Sequence, residues 1–473
     1  MTNFSDKQWV LGLLTYFFVC FIFFYPKMLL LLDEYSYFNQ AVALSTFSPN
    51  LIIEDLTTTE PVNITGNPYL PGTSISLALL IKLFGKKSVF LLGASCFIIS
   101  VLLLLKVFQR LKLSRLGILI FFIYPPLLML TRTVMSGMPS LLLISVFIYF
   151  FFCLGTSKTQ YICLAFTAGL GMLFRETNII ALGLFLFSLF LSRKKWLGFL
   201  AVPLISVVIF RLLLSNWIFS KATYISGADP FSIANILPNL PLYLTLTLLL
   251  IPLGLFFITL YKGPHRWEIQ LSTGAFLVVY LLYGFNPITY SGWGKGLLFG
   301  GRFLVPILPF FAIAAGYGFQ KYRLFKHAAF KYSLILLSIF CISVSQYAGS
   351  KFNQTHHGIS EKIYENYFEK PIVIDHSGYT SINRYINPLL GIFPLQSDLN
   401  RFTDRSYIQE VFEHHQAVYL ILSMRYENEE KIERGNKYLA LIKALASEYQ
   451  IKKEQRYQSF DGTFMEVWKM EKL

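Results

Sequence analysis

Charged residues are scarce in this 473-residue chain, at 14% of the total, where a soluble protein carries about 25%. That shortage, beside a hydrophobic content of 55%, excludes a soluble enzyme and a disordered chain. Cysteine is scarce too. Its five residues, Cys20, Cys96, Cys153, Cys163 and Cys341, all lie inside apolar runs, form no CxxC pair and leave the polar C-terminal part without any. A disulfide framework and a cysteine zinc site are thereby argued against. The short alternating segments of a membrane barrel are missing as well. Acidic residues number 26 against 41 Lys and Arg, a formal charge of +15. The excess cations sit in short loops between apolar runs, which is the loop bias of a polytopic membrane protein and not a nucleic-acid surface.

What is present is a series of apolar segments, near 8–25, 71–84, 88–107, 116–130, 138–154, 160–174, 178–192, 196–214, 239–261, 270–284, 302–319 and 330–347. Runs of this kind are expected to be membrane-spanning helices. The first, Trp9 to Tyr25, lacks a small-residue cleavage site after it and reads as an uncleaved span. The second is too short to span comfortably and contains Lys82. If it does not cross, Lys106, Arg110, Lys112, Arg115, Lys158, Arg193, Lys194, Lys195, Lys262, Arg266, Lys321, Arg323 and Lys326 all fall on one side. The acidic loop with Asp33, Glu34, Glu54, Asp55 and Glu60 then falls on the other. The positive-inside rule favours this arrangement. It gives about eleven spans, a cytoplasmic N-terminus and an extracytoplasmic C-terminal part, in what is expected to be a bacterial plasma membrane. Residues 349–473 change character and read as a small soluble α/β domain after a transmembrane domain at 1–348. Strands are expected at Pro371 to Asp375, Ala417 to Leu422 and Gly462 to Met470, with a helix at Glu427 to Ser447.

Five places combine ionisable residues with the outer ends of spans: Asp33-Glu34, Asn67 to Gly72, Thr131 to Ser136, Arg175-Glu176 and Gly301-Arg302. On this topology all reach one face. A carboxylate at a membrane boundary is costly enough to suggest chemistry, and Asp33 there could deprotonate a hydroxyl. The plainer reading of Asp33 and Glu34 is an interfacial pair that ends a span. Arg175 and Arg302 carry guanidinium forks suited to phosphate oxygens. Against that stands the snorkelling arginine that anchors its helix at the headgroups. Lys295 and Arg132 are weaker candidates of the same kind. His356-His357, His376 and His414-His415 match no zinc spacing, and the sequons at Asn63 and Asn353 are short enough to arise by chance.

Four stretches together resemble the GT-C class of membrane glycosyltransferases, on the side of the protein O-mannosyltransferases and the lipid A aminoarabinose transferases. They are Leu32-Asp-Glu-Tyr-Ser-Tyr-Phe38 after the first span, and Tyr69-Leu-Pro-Gly-Thr-Ser-Ile-Ser-Leu-Ala-Leu-Leu-Ile-Lys-Leu-Phe-Gly85 as a juxtamembrane helix. The others are Gly171-Met-Leu-Phe-Arg-Glu176 and Gly301-Arg-Phe-Leu-Val-Pro-Ile-Leu-Pro309. The resemblance covers the order of features over residues 10–320 and leaves out the C-terminal domain. It implies a hexosyl- or pentosyltransferase acting at the outer face on a polyprenyl-phosphate-linked sugar. Asp33 would be the general base and Glu34 its partner. Arg302, Arg175 and Lys295 would bind the donor phosphate, with Tyr35, Tyr69 and Arg132 lining the substrate pocket. The acceptor would be a lipid, a glycan or a protein. One departure matters: where members often carry an acid, Thr131-Arg-Thr-Val-Met-Ser-Gly-Met-Pro139 places Gly137. A metal bridged by two carboxylates is therefore disfavoured, and the reading requires no cofactor. The rival readings are a lipid or polysaccharide flippase, which would place its ionisable residues near the bilayer midplane, and a non-catalytic relative.

Overall fold

The computed structural model describes residues 5–473 apart from 30, 50, 58–61, 64–69, 155–156, 193–200, 202–203, 211, 214–230, 285, 323–326, 375–386, 391, 425–439 and 459–463. The chain is mostly helical and divides into two compact units. One comprises Met1–Tyr25 and Pro68–Gly349, the other Pro26–Asn67 and Ser350–Leu473. This differs from the contiguous division read from hydropathy, because the loop after the first helix makes its contacts with residues more than three hundred positions away.

In the first unit, α1 (Asp6–Phe23) starts at a capping box, in which the Ser5 side chain accepts from Gln8 N–H and the Gln8 side chain from Ser5 N–H. Each bond satisfies a donor that a helix start leaves open. Helix α2 (Leu32–Ser45) belongs to the second unit. Helix α3 (Pro71–Phe84) opens on a proline, which suits the first helical position, and has 14 residues. Its first turns are buried, while Leu79, Leu83 and Phe84 are exposed. Then come α4 (Leu91–Leu111), α5 (Ile120–Ile123), α6 (Pro125–Leu130), α7 (Gly137–Cys153), α8 (Lys158–Phe174) and α9 (Thr177–Ser192). After them follow α10 (Ile236–Thr245), α11 (Gly254–Leu260), α12 (Arg266–Leu282), α13 (Pro287–Gly301), α14 (Leu308–Lys321) and α15 (Ala328–Tyr367). Helix α7 packs against α4 and α8, α9 against α12, and α11 against α14.

Two expected spans are broken by proline. Residue Tyr124, ahead of Pro125, is extended at φ −99° and ψ 97° and separates α5 from α6, as the residue before proline is driven out of the helical region. Pro252 likewise follows the end of a π-turn at Leu246–Leu250, before α11 begins. The stretch Arg302–Ile307, which contains Pro306, is a 3₁₀ turn leading into α14. Among the described residues five helical stretches are long and apolar enough to cross a bilayer: Asp6–Phe23, Lys86–Leu111, Ile233–Leu250, Gly292–Lys321 and Ala328–Tyr367. Shorter apolar helices include Pro71–Phe84, Gly137–Cys153 and Thr177–Leu191. The protein is an integral membrane protein.

In the second unit, β1 (Ile52–Ile53) and β2 (Val62–Asn63) form an antiparallel pair. A five-stranded sheet carries β3 (Ile372–Ile374), β4 (Gln396–Asp398), β5 (Ala417–Met424), β6 (Tyr449–Gln458) and β7 (Phe464–Lys472), ordered β4-β3-β5-β7-β6. Strand β3 is parallel to β4 and β5, and the remaining pairings are antiparallel. Both faces are covered. Val418, Leu420 and Leu422 face Tyr407, Ile408, Val411 and Phe412 of α16 (Arg405–His414). Ile372, Ile374, Ile421 and Val467 meet Ile359, Ile363, Tyr364 and Tyr367 from the last turns of α15. That accounts for the near-continuous apolar run of β5, since a strand buried on both sides has no polar face. Most of the expected helix at 427–447 lies outside the described residues; 440–445 are helical.

Candidate active site

The two arginines at helix ends come together on one aromatic ring. Arg175 follows α8, whose last turn its own N–H closes onto Gly171 O at 3.0 Å. Arg302 follows α13 and opens the 3₁₀ turn. Their Cζ atoms lie 5.6 and 5.1 Å from the centroid of the Phe303 ring. A ring face attracts a guanidinium and holds it without neutralising it. Among the described residues no ion pair involves Arg175. Behind Phe303 stand Tyr280, stacked at 5.1 Å, and Tyr283, edge-on at 5.9 Å. Tyr243 packs on Tyr280 at 6.3 Å and has both guanidinium groups within electrostatic range of its hydroxyl. That hydroxyl is buried and, among the described residues, has no hydrogen-bond partner. Sequence reasoning missed this wall: in an apolar run, tyrosine and phenylalanine look like any packing or lipid-facing residue, and the spare hydroxyl is the sole trace.

The backbone around the pair is tightly fixed. Tyr124 Oη donates to Gly301 O at 2.8 Å, and a Cβ on Gly301 would fall 2.3 Å from Pro126 Cγ. Gly72, in the first turn of α3, lies so close to α8 that a Cβ would meet Leu173 O at 2.7 Å. Gly137 differs from these. A Cβ there would sit 3.2 Å from Leu130 Cδ1, 3.7 Å from Arg302 O and 4.0 Å from Arg175 Nη1. The position that lacks the expected acid thus borders the Arg175 guanidinium and the Arg302 backbone, and a Cβ there requires the flexible end of Leu130 to give by a few tenths of an ångström. Guanidinium forks are suited to bidentate contact with phosphate oxygens.

Lys295 is exposed on α13, beyond its break at Gly292. Arg132 is 3% exposed in the turn before α7; its Nη1 donates to Gln346 Oε1 at 2.7 Å. Burial pushes its guanidinium down to about 10, so it is enclosed by the protein and does not face open solvent. Tyr69 lies outside the described residues. Asp33, Glu34 and Tyr35 stand in the first turn of α2, in the second unit. Acidic side chains at this position stabilise a helix. Asp33 is half-buried. Glu34 is fully buried, and its Oε2 accepts the Leu31 N–H at 2.7 Å, so it closes the start of its own helix. Tyr35 Oη donates to Leu29 O at 3.3 Å.

The chain running into and out of α2 is held by polar side chains. Asn353 Oδ1 accepts Lys27 N–H at 2.7 Å and its Nδ2 donates to Met28 O at 2.8 Å. At 2% exposure it is no glycosylation site. Beyond α2, the Asp55 carboxylate accepts from Thr57 Oγ1 at 3.1 Å, from Tyr407 Oη at 2.9 Å and from Arg401. Burial pushes the Tyr407 phenol up and the Asp55 carboxylate adds to the rise, while the Ser397 hydrogen bond and the Arg401 charge oppose it. Among the described residues no three of His, Cys, Asp or Glu cluster as a metal site.

No protein-family model and no curated protein sequence matches the chain. Solved structures do. ArnT from Cupriavidus metallidurans, bound to undecaprenyl phosphate, matches with a TM-score of 0.61 at 12% identity over 98% of each chain. Its apo state matches at 0.62. The arabinofuranosyltransferase AftD from mycobacteria matches at 0.52 and 11% identity, over 98% of this chain and 40% of AftD. The fold is that of the GT-C class of glycosyltransferases.

Proposed function

We propose that this protein is a glycosyltransferase that moves a sugar from a polyprenyl-phosphate donor to an acceptor hydroxyl at the outer face of the membrane. The observation that carries this reading is the pair of guanidinium groups on Phe303, within a fold shared with a protein solved bound to undecaprenyl phosphate. A phosphate is already a good leaving group, so it needs its developing charge stabilised more than it needs a proton. Arg175 and Arg302 supply that stabilisation, and fixed charges in a water-poor site do so at little reorganisation cost. Tyr243 offers a further donor to the same oxygens, and Lys295 a longer-range cation. The acceptor oxygen attacks the anomeric carbon as the carbon–phosphate oxygen bond breaks. Asp33 takes the hydroxyl proton, and the lipid phosphate departs with the bonding pair. Displacement through an oxocarbenium-like state inverts the anomeric centre. The first span, ten further crossings and a non-crossing α3 complete the proposed topology, with residues 1–348 as the membrane domain and 349–473 extracytoplasmic.

The test follows polyprenyl-phosphate sugars by mass spectrometry in membranes carrying wild type, Asp33→Asn or Arg302→Ala. A donor consumed by wild type should accumulate in both variants while each protein remains folded. Equal donor pools in all three would remove the transferase reading and move weight to a flippase or an inactive relative.

A further inference from the structure

The segment that carries Asp33 is fastened at both ends to residues beyond 350, all within the second unit. On the entering side, one amide of Asn353 satisfies both the N–H of Lys27 and the C=O of Met28, as a neighbouring strand would. Asn387, fully buried, donates from Nδ2 to Lys27 O at 2.8 Å, and its own N–H is taken by Ser360 Oγ at 2.9 Å. On the leaving side, Glu54 forms a parallel bridge with Leu395 at the edge of the sheet. Asp55 is held by Arg401 and Tyr407, and His415 Nε2 donates to Leu56 O at 2.9 Å. Only residues 29–32 separate the Asn353 anchor from Asp33.

These anchors are costly choices. Asn353 and Asn387 are buried polar side chains, placed on backbone groups that ordinary loop folding would leave to water. A loop that only had to connect a span to the next helix would need neither. A carboxylate that must meet a hydroxyl in one geometry does need them, since a catalytic group works only when held within about 0.5 Å of its place.

We propose that Asn353 is a positioning residue for Asp33, and that residues 350–473 serve the reaction as the frame that fixes the α2 segment. This rests on the transferase reading for its catalytic half. The anchoring half stands on the hydrogen bonds alone.

The experiment pairs Asn353→Ala with Asn387→Ala in the full-length protein. Donor turnover is measured with polyprenyl-phosphate sugars extracted from Asp33→Asn membranes, and hydrogen exchange is followed in the same preparations. A misplacement on the order of 1 Å costs up to ~10²-fold in rate. Asn353→Ala should therefore lower kcat between about 10- and 100-fold with the donor KM little changed, and Asn387→Ala should lower it less. Exchange at the Lys27 amide should accelerate in Asn353→Ala while amides of β5 keep their protection. Unchanged kcat with a loosened Lys27 amide overturns the positioning role. Loss of protection across β5 overturns it too, since Asn353 would then be a fold residue of the domain. Should wild type consume no donor, the transferase reading fails on its own, and the exchange data still decide the frame: local acceleration sustains it, unchanged exchange overturns it.

Discussion

Gly137 is where a single residue changes the chemistry most. It begins α7, and a Cβ there would stand 4.0 Å from Arg175 Nη1 once Leu130 Cδ1, at 3.2 Å, gives slightly. An aspartate would put its carboxylate within ion-pairing reach of that guanidinium. Hydrogen bonds to charged groups contribute about 1.5–3 kcal/mol, and 1.4 kcal/mol is a factor of about ten in affinity. Gly137→Asp should therefore weaken undecaprenyl phosphate binding by about tenfold or more, measured on folded protein. Binding as tight as wild type would mean that Arg175 does not hold the phosphate. The arginines were legible as charges at the ends of apolar runs. Gly137 was legible as a missing acid, but its neighbours were not, because what stands beside a glycine depends on Leu130, Arg302 and Arg175. The aromatic wall of Tyr243, Tyr280 and Phe303 stayed hidden among 46 Phe and 28 Tyr.

Helix contacts in the bundle depend on a few small residues. Gly117 sits against α14, where an added Cβ would meet Ala312 O and Gly316 N, each at 2.5 Å. Gly316 in turn faces Phe108, whose Cε1 would lie 2.5 Å from an added Cβ. Ala312 and Gly316, one turn apart, form the small-residue stripe that lets backbones approach in a membrane. Gly117→Ala must push backbone against backbone, and overpacking of this kind costs about 1–3 kcal/mol. Gly183, inside α9, meets nothing within 4 Å, so Gly183→Ala should be neutral or slightly stabilising. Thermal unfolding of the two variants in the same detergent checks the contrast; equal losses would refute it. Hydropathy revealed most apolar elements because a span is a bulk property of about twenty residues. It smoothed over the breaks at Tyr124 and Pro252, which are decided by one residue's backbone. Strand β6, reading Tyr-Gln-Ile-Lys-Lys-Glu-Gln-Arg-Tyr-Gln, was missed because an exposed edge strand has no apolar alternation to find. The membership of Pro26–Asn67 in the second unit was also hidden, since it rests on Asn353, Asn387 and Arg401, polar residues far along the chain.

For the molecule as a whole, α3 decides the topology. Its 14 residues at about 1.5 Å each reach only ~21 Å, short of a hydrocarbon core about 30 Å thick. Its first turns are wedged against α8, and Leu79, Leu83 and Phe84 remain exposed on the other half. On the proposed topology this helix lies at the membrane boundary, with its buried half against protein and its exposed half toward lipid. If α3 crossed instead, every later loop would change sides. The clusters Arg110-Leu-Lys112 and Lys321-Tyr-Arg323 would then have to be exported, against the bias that retains Lys and Arg in the cytoplasm. Alkaline phosphatase, which needs an extracytoplasmic position, should be active when fused after Leu473 and inactive when fused after Lys112 or Lys262. A fluorescent protein that matures only in the cytoplasm should report the reverse at all three. Activity after Lys112 and fluorescence after Leu473 would mean that α3 spans, and the outer-face reaction would fall with the topology.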